Sequence, residues 1–489
     1  MQLHGEQKRV IFLPPTGPIQ IKGVAGSGKT TVALYRAKHL LETSGDLFRE
    51  TYVMIFAYNK SLARYIADIL PTVTGGLQPN SEKLRPESLP GLRVGVQTFH
   101  KWAWNFLKQC GFWDDHTIVS EDDKTALLTD AIEKAREDNP SVQILAKPVE
   151  FFKEEIAWLK GRRIFKIEEY QNAARAGRGT KDRVKNTDKS PIWNVYSAYY
   201  ELLTERNAVD FDDITNIVYD TIQSIPSFVP PYSHIVVDEA QDLNKAQMLV
   251  LSHLVKPETN SITVIADAAQ RIYKSGFTWA EVNLNVTGGR TVVFKKNYRN
   301  THQIALAAKS LLDHENDRED FTEPEASTRT GPKPIIGKFH DSNTQLAFLV
   351  EQLSRINHNE TSTVILHRSR RKLPLIAQAL MDAGISVTVI DRKAQGLAGN
   401  GVWVCTLSSI KGLEFDNVFI TDVNDDVIPY PAGFTDKDDE YHISTERRLL
   451  YTAMTRARQG LFILSSGIPS RYIAEINTDH VVTAPGTGE

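Results

Sequence analysis

The sequence predicts an α/β protein made of two units with parallel sheets, with a helical insertion in the first unit. Three observations favour this fold class. Short apolar runs alternate with helical patterns in the first hundred residues, which is typical of parallel sheets covered by helices on both faces. The same alternation returns from about residue 291, whereas residues 100–200 are mostly helical in pattern. At 489 residues, the chain is also too long for a single core.

The first unit is predicted from five strand-like runs and from the helix that follows the first of them. The runs lie at 18–22, 52–57, 93–98, 234–238 and 262–266. A Gly-rich turn after the first run leads into a helix over about 29–42. Because the strand pattern stops near residue 100 and returns at 234, we interpret the helical stretch between them as an insertion into one α/β unit.

The second unit is predicted from five further strand-like runs, at 362–366, 387–390, 402–405, 418–420 and 461–464. Residues 315–334 are charged and contain prolines and a glycine, which predicts an exposed loop. The predicted boundaries are 1–105 and 206–285 for the first α/β domain, 106–205 for the helical insertion, 286–477 for the second α/β domain and 478–489 for a flexible tail.

The composition is that of an ordinary soluble protein, with 41% hydrophobic and 24% charged residues. The sequence has no run of about 18 apolar residues, and its first residues lack the layout of a secretory signal. Since Cys110 and Cys405 are the only cysteines, we expect a reducing cytoplasm and no disulfide framework. The net charge of −3 excludes binding driven by a wholly basic surface, but it does not exclude nucleic acid.

A phosphate-binding loop is predicted at Gly23-Val24-Ala25-Gly26-Ser27-Gly28-Lys29-Thr30, between a strand and a helix. In such a loop, backbone N–H groups face phosphate oxygens at the positive end of the helix. Lys29 is expected to reach the terminal phosphates, and the Thr30 hydroxyl is expected to ligate Mg²⁺.

Paired carboxylates follow an apolar strand in Ile235-Val236-Val237-Asp238-Glu239-Ala240-Gln241-Asp242. At the end of the strand, Asp238 can hold Mg²⁺ through water, and Glu239 can take a proton from the attacking water. Phosphoryl transfer needs both functions: one group that holds the metal ion and another that accepts the proton of the attacking water. The sequence therefore predicts hydrolysis of a nucleoside triphosphate, because the phosphate-binding loop alone would also suit a kinase or a switch.

The sequence resembles the UvrD/Rep-like branch of the superfamily-one helicases over residues 7–458. Besides the segment from Asp238 to Asp242, seven motifs in the family's order carry the resemblance. They are Gln7, Thr98-Phe99-His100, Val209-Asp210-Phe211-Asp212-Asp213-Ile214, Ala266-Asp267-Ala268-Ala269-Gln270-Arg271-Ile272-Tyr273, Asn297-Tyr298-Arg299, Lys411-Gly412-Leu413-Glu414-Phe415 and Tyr451-Thr452-Ala453-Met454-Thr455-Arg456-Ala457-Arg458. The resemblance implies two RecA-like P-loop domains that bind ATP and Mg²⁺ and move 3′ to 5′ on single-stranded DNA, with RNA left open.

The resemblance also implies roles around the nucleotide. Gln7 would read the adenine and Tyr298 would stack on it, while Glu414 would contact the ribose or the γ-phosphate side. Gln270 would contact the γ-phosphate or the attacking water. Arg299 and Arg456 would act as arginine fingers from the second domain. The predicted catalytic residues are Lys29, Asp238, Glu239, Gln270, Arg299 and Arg456, and the predicted nucleotide cradle is Gly23, Ala25, Gly26, Ser27, Gly28, Lys29, Thr30 and Thr31.

A strand-binding surface is predicted from the same resemblance. The candidate contacts are Asn59, Lys60, Thr98, Phe99, His100, Tyr273, Trp279 and Ser408, with Phe277 as a further aromatic. Aromatic side chains in such a surface stack on bases. For Phe99, packing in the core is an equally good interpretation, whereas the turn before Trp279 predicts an exposed ring. Residues 160–189 carry ten Lys/Arg against four Asp/Glu, which predicts contact with the nucleic-acid backbone.

The sequence also departs from the family pattern. Ser408 stands where a strand-contacting His is usual, Ala266 replaces a Gly, and Thr31 stands where an Arg often follows the loop. Only 35 residues separate Arg368 from Val404, which leaves no room for the family's second helical insertion. Three functions stay open: a translocase or helicase, a nucleic-acid-gated ATPase that activates a partner such as a nuclease in repair or phage defence, and a nucleotide-dependent switch.

Overall fold

A computed structural model describes residues 3, 5–44, 50–79, 92–173, 184–267, 277–315, 325, 327, 329–390, 399–431 and 440–484. Up to the insertion, the elements are α1 (Gly5–Ile11), β1 (Ile19–Gly23), α2 (Lys29–Ser44), β2 (Thr51–Ala57), α3 (Lys60–Val73), β3 (Leu92–Thr98) and α4 (Phe99–Gln109). The insertion contains α5 (Phe112–Asp115), β4 (Thr117–Ile118), α6 (Glu121–Asp138), α7 (Val149–Arg162), α8 (Ile167–Asn172), α9 (Asn186–Glu205) and β5 (Ala208–Val209). The first unit then resumes with α10 (Ile214–Ser224), β6 (His234–Val237), α11 (Lys245–Leu254), β7 (Ser261–Ala266) and β8 (Thr291–Phe294).

The second unit contains the remaining elements. They are α12 (His302–Leu312), β9 (Ile335–Lys338), α13 (Ser342–Ser354), β10 (Ser362–His367), α14 (Leu373–Asp382), β11 (Thr388–Val389), β12 (Gly401–Thr406), β13 (Phe415–Ile420), α15 (Glu440–Met454), β14 (Ala457–Ser465), α16 (Arg471–Glu475) and β15 (Val482–Thr483). Among the described residues, no helix is both long and apolar enough to cross a bilayer.

Each unit is built on a parallel sheet, which confirms the predicted fold class. Over the described residues, the first sheet has the strand order β3-β2-β6-β7-β1-β8 and the second has β11-β12-β10-β13-β14-β9-β15. All residues of β6 are buried, as expected for a strand covered on both faces. Helices α2 and α3 pack on one face of the first sheet, whereas α4, α10 and α11 pack on the other.

The structure corrects the predicted domain boundaries at three places. The boundary at 105/106 falls inside α4, whose Trp102 and Leu107 pack in the core of the first unit. The boundary at 285/286 assigns β8 to the second unit, yet β8 pairs with β1 at the edge of the first sheet. Within the predicted flexible tail, β15 pairs with β9. The packing of α4 and the pairing of strands distant in sequence set these limits. The local composition of the chain does not reveal either kind of contact.

The helical insertion is joined to the first unit by buried charges. The ammonium of Lys160, on α7, is fully buried and lies 2.9 Å from Asp210 and 2.7 Å from Asp213. Asp210 also accepts a hydrogen bond of 2.9 Å from the hydroxyl of Tyr199, on α9. Removing one partner of such a buried pair strongly destabilises the folded protein, because the other charge is left buried and uncompensated. The segment after β5 therefore ties both long helices to the first unit.

The stretch predicted to contact a nucleic-acid backbone, residues 160–189, uses some of its basic side chains within the fold, while Lys166 and Lys185 are exposed. Lys160 is buried in its ion pairs, and Lys189 donates hydrogen bonds of 2.8 and 3.2 Å to the carbonyls of Gln171 and Ala173. Arg163 pairs with Asp220 at 2.8 Å. The basic residues between 174 and 183 lie outside the described residues. The ends of this stretch therefore hold the insertion together.

Candidate active site in the cleft between the two sheets

The predicted phosphate-binding loop connects β1 to α2 in a conformation that needs glycine. Gly26 and Gly28 have φ angles of +75° and +79°, in the left-handed region that L side chains rarely adopt. A Cβ at Gly26 would overlap the amide oxygen of Asn297, and one at Gly28 would overlap the amide of Gln7. The loop is therefore enclosed by α1 and by the segment after β8, so any added side chain would displace one of them.

The ammonium of Lys29 is held at the mouth of this loop. It donates to the carbonyls of Gly23 and Val24 at 2.8 and 2.9 Å, and it lies 3.0 Å from Asp267. Lys29 and Asp267 are both buried. A terminal phosphate fits here, because its charge can replace that of Asp267 as the partner of the ammonium.

The remaining cradle residues complete a polar pocket beneath the loop. The amide of Gln7 donates to the carbonyl of Ser27 at 2.7 Å and is buried. Among the described residues, the buried hydroxyl of Ser27 has no hydrogen-bond partner. Ala25 packs against the core of the second unit, whereas Thr30 and Thr31 are half-buried at the start of α2. The unpartnered hydroxyl and the glycine turns fit a bound phosphate group.

The paired carboxylates follow β6, beside the loop. Asp238 accepts a hydrogen bond of 2.7 Å from the hydroxyl of Thr30, so the two predicted Mg²⁺ ligands are adjacent. The amide of Gln241 donates to Glu239 at 2.5 Å, and its oxygen accepts from the N–H of Asp267 at 3.0 Å. Hydroxyl and carboxylate oxygens are ligands that Mg²⁺ prefers, so this pair fits the ion.

The two carboxylates have opposite pKa shifts. Burial and the neighbouring Glu239 raise the pKa of Asp238 to about 6. Burial also opposes ionisation of Glu239, but the charges of Lys411, Lys29 and Arg456 outweigh it and lower its pKa to about 2. Glu239 is therefore an anion at neutral pH, as a group that accepts a proton from water must be.

The second unit places a lysine against these carboxylates. The ammonium of Lys411 is fully buried, forms an ion pair with Asp242 and lies 3.7 Å from Glu239. The amide of Asn59, in the first unit, donates to the carbonyl of Lys411 at 3.2 Å. The cleft is therefore closed in this structure by an ion pair and a hydrogen bond between the two units.

The predicted arginines come from the same side of the cleft as Lys411. Arg299 lies 2.6 Å from Glu414, and both belong to segments of the second unit. Arg456 is buried and donates to the carbonyl of Thr452 at 3.0 Å. Burial and the charge of Arg299 lower the pKa of Arg456 to about 10, against the opposing effect of Glu239. The N–H of Tyr298 donates to the carbonyl of Gly26 at 2.9 Å, while its ring is half-buried.

Two of the predicted site residues, Gln270 and Tyr273, lie outside the described residues. Five residues without a predicted role lie close to the predicted catalytic groups: Lys411, Asp242, Gln241, Asp267 and Asn297. Each belongs to a motif segment that carries the family resemblance. Their place in these motifs was the only indication in the sequence that they lie in the site, because their contacts join segments that are distant in sequence.

The candidate strand contacts fall into three classes. Thr98 and Asn59 use their side chains as N-caps, accepting from Lys101 N at 3.3 Å and from Leu62 N at 2.7 Å. Phe99 is only 3% exposed and packs in the core, so the core interpretation is correct and its ring does not form a surface contact. Lys60 and Ser408 are exposed.

The aromatic candidates are less exposed than predicted. Trp279 is half-buried, and its ring packs edge to face with Phe277 at 5.7 Å between centroids. His100 stacks on Phe211 at 4.5 Å, and burial lowers the pKa of His100 to about 4. Phe211, which sequence reasoning missed, is 44% exposed. A stacked, neutral His100 with an exposed Phe211 beside it is an arrangement that can receive a base.

Comparison with known proteins adds independent findings. Residues 3–285 match the family model of the UvrD/REP helicase N-terminal domain, and residues 292–397 and 392–467 match that of the UvrD-like helicase C-terminal domain. An ATP-dependent DNA helicase PcrA from Leuconostoc citreum is 25% identical over 399 residues, which cover 76% of this chain and 48% of the relative. A probable DNA helicase from Mycoplasma pneumoniae is 24% identical over 515 residues, covering 98% of this chain and 88% of the relative.

A third relative is similar over a comparable stretch. The ATP-dependent DNA helicase UvrD1 from Mycobacterium tuberculosis is 25% identical over 415 residues, covering 78% of this chain and 49% of the relative. The chain thus spans about half the length of the PcrA and UvrD1 relatives that it matches.

Proposed function

The chain belongs to the UvrD/REP helicase family, and from this premise we propose that it is an ATP-dependent translocase or helicase on single-stranded DNA, moving 3′ to 5′. One observation carries the proposal: Asp238 and Glu239 on the first unit face Lys411 and Arg456 on the second. ATP would therefore be hydrolysed between two RecA-like domains, where closure completes the site.

The residues divide the chemistry among them. Lys29 exchanges Asp267 for the terminal phosphates, while Thr30 and Asp238 hold Mg²⁺, which would neutralise charge on the phosphates. Glu239 accepts the proton of the attacking water. Arg299 leaves Glu414 and, with Arg456, stabilises the charge that develops in the transition state. Gln270, outside the described residues, is proposed to orient the water.

The base of the insertion and the cleft rim provide the proposed track for the strand. Lys60 and Ser408 contact its backbone, and His100 with Phe211 receives a base. Trp279 and Tyr273 are proposed to stack on further bases, and Phe211 replaces Phe99 in this role because it is exposed. Each stacked base contributes about 1–3 kcal/mol to binding.

The first test is steady-state ATP hydrolysis by the purified chain, with and without single-stranded DNA. We expect several-fold stimulation by an oligothymidylate and loss of activity in Glu239→Gln, which keeps the shape of the side chain. An oligouridylate of equal length tests RNA as the activator. Hydrolysis in the wild type that never exceeds that of Glu239→Gln, with either nucleic acid, would contradict the proposal.

A second candidate function is a DNA-gated ATPase that activates a partner protein, such as a nuclease in repair or phage defence. Between β10 and β12 the described residues form α14 and β11, and only 11 residues, 390–400, connect β11 to β12, which is too short for a second helical subdomain. A strand-displacement assay on duplexes with a 3′ or a 5′ tail separates the two functions. Displacement from the 3′ tail alone supports the helicase, whereas stimulated hydrolysis without displacement supports the gated ATPase.

A further inference from the structure

A cavity of about 730 Å³ lies between the helical insertion and the first unit, away from the residues of the cleft. It is lined by the C-terminal half of α9, by α5 and by the N-terminal half of α10. The cavity has the size of a small-molecule or side-chain binding site. No residue of the phosphate-binding loop, of the paired carboxylates or of the arginine motifs lines it.

Aromatic rings form its walls. Trp193 and Tyr196 meet edge to face, with centroids 5.2 Å apart and planes at 84°, and Phe112 stacks on His116 at 4.1 Å. At the mouth, Tyr200 is 56% exposed and Phe165 is 43% exposed. Five aromatic side chains, Phe112, Phe165, Trp193, Tyr196 and Tyr200, thus line one cavity, which we call the aromatic cage. The faces of aromatic rings attract cations.

The charged side chains around this cage are mainly carboxylates. Glu201, Asp213 and Asp220 line the cavity, and within the described residues no Lys or Arg does. Asp213 is neutralised by Lys160, and Glu201 forms an exposed pair with Lys134. Asp220 pairs with the largely buried Arg163, but its own side chain is 64% exposed. Because exposed pairs contribute little and exchange readily, Glu201 is available to another cation, and Asp220 is accessible to one.

Further carboxylates flank the lining residues. Asp114 and Asp115 follow Phe112 on α5, and Glu205 ends α9. All three are exposed, and none forms an ion pair with a described residue. Exposed Lys166 and Arg206 also flank the lining residues, so these flanking groups carry three negative and two positive charges. An incoming cation therefore meets a small excess of negative charge around the carboxylates of the lining.

The same region already shows a cation bound to rings. The guanidinium of Arg163 lies 4.0 Å from the ring centroid of Tyr219 and 5.3 Å from that of Phe165 at the mouth. Arg163 is therefore an intramolecular example of the contact that the cage can make with a second guanidinium.

We propose that this cavity is a docking site for a partner protein, and that it receives a lysine or arginine side chain from a basic peptide segment of that partner. The cation stacks on Trp193, Tyr196 and Tyr200, while Glu201 and Asp220 bind the basic residues on either side. The site does not depend on the proposed motor function, since its residues are separate from the cleft.

The test uses the full chain labelled with fluorotryptophan, in which the resonance of Trp193 is identified by its absence from Trp193→Phe. N-acetyl-argininamide is the probe, and N-acetyl-citrullinamide, which has the same shape without the charge, is its control. We expect the arginine probe to shift the Trp193 resonance saturably and the citrulline probe to have little effect. The tripeptide acetyl-Lys-Arg-Lys-amide should bind more tightly than argininamide, because the rim carboxylates add contacts.

Variants locate the binding. Tyr200→Ala and Glu201→Gln should each weaken binding of the arginine probe about three- to tenfold, since each removes one cation contact. Lys134→Ala should strengthen it about twofold by releasing Glu201. Phe12→Ala, at a distant ring that is 71% exposed, is the matched control and should leave binding unchanged. DNA-stimulated ATP hydrolysis serves as a check on folding in every variant.

Two results would overturn the proposal. An equal response to the arginine and citrulline probes would mean that the cage does not select a cation. A Trp193 shift caused by oligothymidylate and removed by Tyr200→Ala would assign the cavity to a nucleobase.

Discussion

At the scale of single residues, the charge of Glu239 depends on both sides of the cleft. Of the three cations that keep this buried carboxylate ionised, Lys29 belongs to the first unit, whereas Lys411 and Arg456 belong to the second. Separation of the units would remove two of the three, and the pKa of Glu239 would rise because burial opposes ionisation. The proposed base is therefore held most strongly in its anionic form when the cleft is closed.

The same geometry gives a prediction for Arg456. Arg456→Ala should lower the kcat of DNA-stimulated ATP hydrolysis by about a thousandfold, because an arginine finger contributes about that factor or more. Binding of a nucleotide analogue should change far less. Arg458→Ala is the matched control, since Arg458 lies two residues away, is 43% exposed and lies near Asp416 instead. Equal losses in the two variants would argue against a finger at Arg456.

The raised pKa of Asp238 predicts a pH dependence of Mg²⁺ binding. Above a pH of about 6 this carboxyl is ionised and can hold the ion, and below it the group is increasingly protonated. The Mg²⁺-dependent part of the affinity for a non-hydrolysable ATP analogue should therefore fall as the pH decreases through about 6. Titrations with Mg²⁺ and with a chelator, over a range of pH, measure this part. In Glu239→Gln the midpoint should move to lower pH, since a neighbouring negative charge is gone.

At the scale of elements, the segment between β12 and β13 joins the two units. Its Lys411 pairs with Asp242, and Gly412 follows with a φ of +84° against the side chain of Leu62 on α3. A Cβ at Gly412 would lie 2.7 Å from the methyl carbons of Leu62. Glycine at this position allows the segment to approach α3 closely enough for Lys411 to reach the carboxylates.

Gly412→Ala should therefore disfavour the closed cleft. A positive φ at a residue with a Cβ costs about 1–3 kcal/mol, and the contact with Leu62 adds to it. We expect kcat of DNA-stimulated hydrolysis to fall at least about tenfold, at about 1.4 kcal/mol per factor of ten. Gly399→Ala, where an added Cβ meets nothing within 4 Å, is the control. The double variant Gly412→Ala with Leu62→Ala should recover the steric part of the loss only.

Sequence patterns predicted most elements because local signals specify them. The phosphate-binding loop, the helix α2 that follows it and the apolar β6 all depend on residues within a few positions of one another. By contrast, the pairing of β8 with β1, the burial of Lys160 and the contact of Lys411 with Asp242 join residues far apart in sequence. Such contacts depend on the packed chain, so composition could not show that Lys160 and Lys189, at the two ends of the basic stretch 160–189, are buried inside the fold.

At the scale of the whole molecule, nucleotide and strand are proposed to bind across the same pair of units. If both favour the closed cleft, each must raise the affinity for the other by the same factor. In Glu239→Gln, which prevents turnover, we expect oligothymidylate to tighten ATP binding about five- to 150-fold, the usual range for such coupling. ATP should tighten oligothymidylate binding equally. Fluorescence titrations of each ligand, with and without the other, measure both factors, and independent binding would contradict a shared closure.

The two cysteines differ in exposure, which allows a label to be attached at a single position. Cys405 is buried in β12, and burial raises the pKa of its thiol, so it reacts poorly. Cys110 is exposed at the end of α4, two residues before Phe112 of the aromatic cage. A maleimide dye should therefore attach at one position in the unaltered sequence. Single molecules labelled in this way could be followed on stretched DNA while the dye reports the arrival of a docked protein.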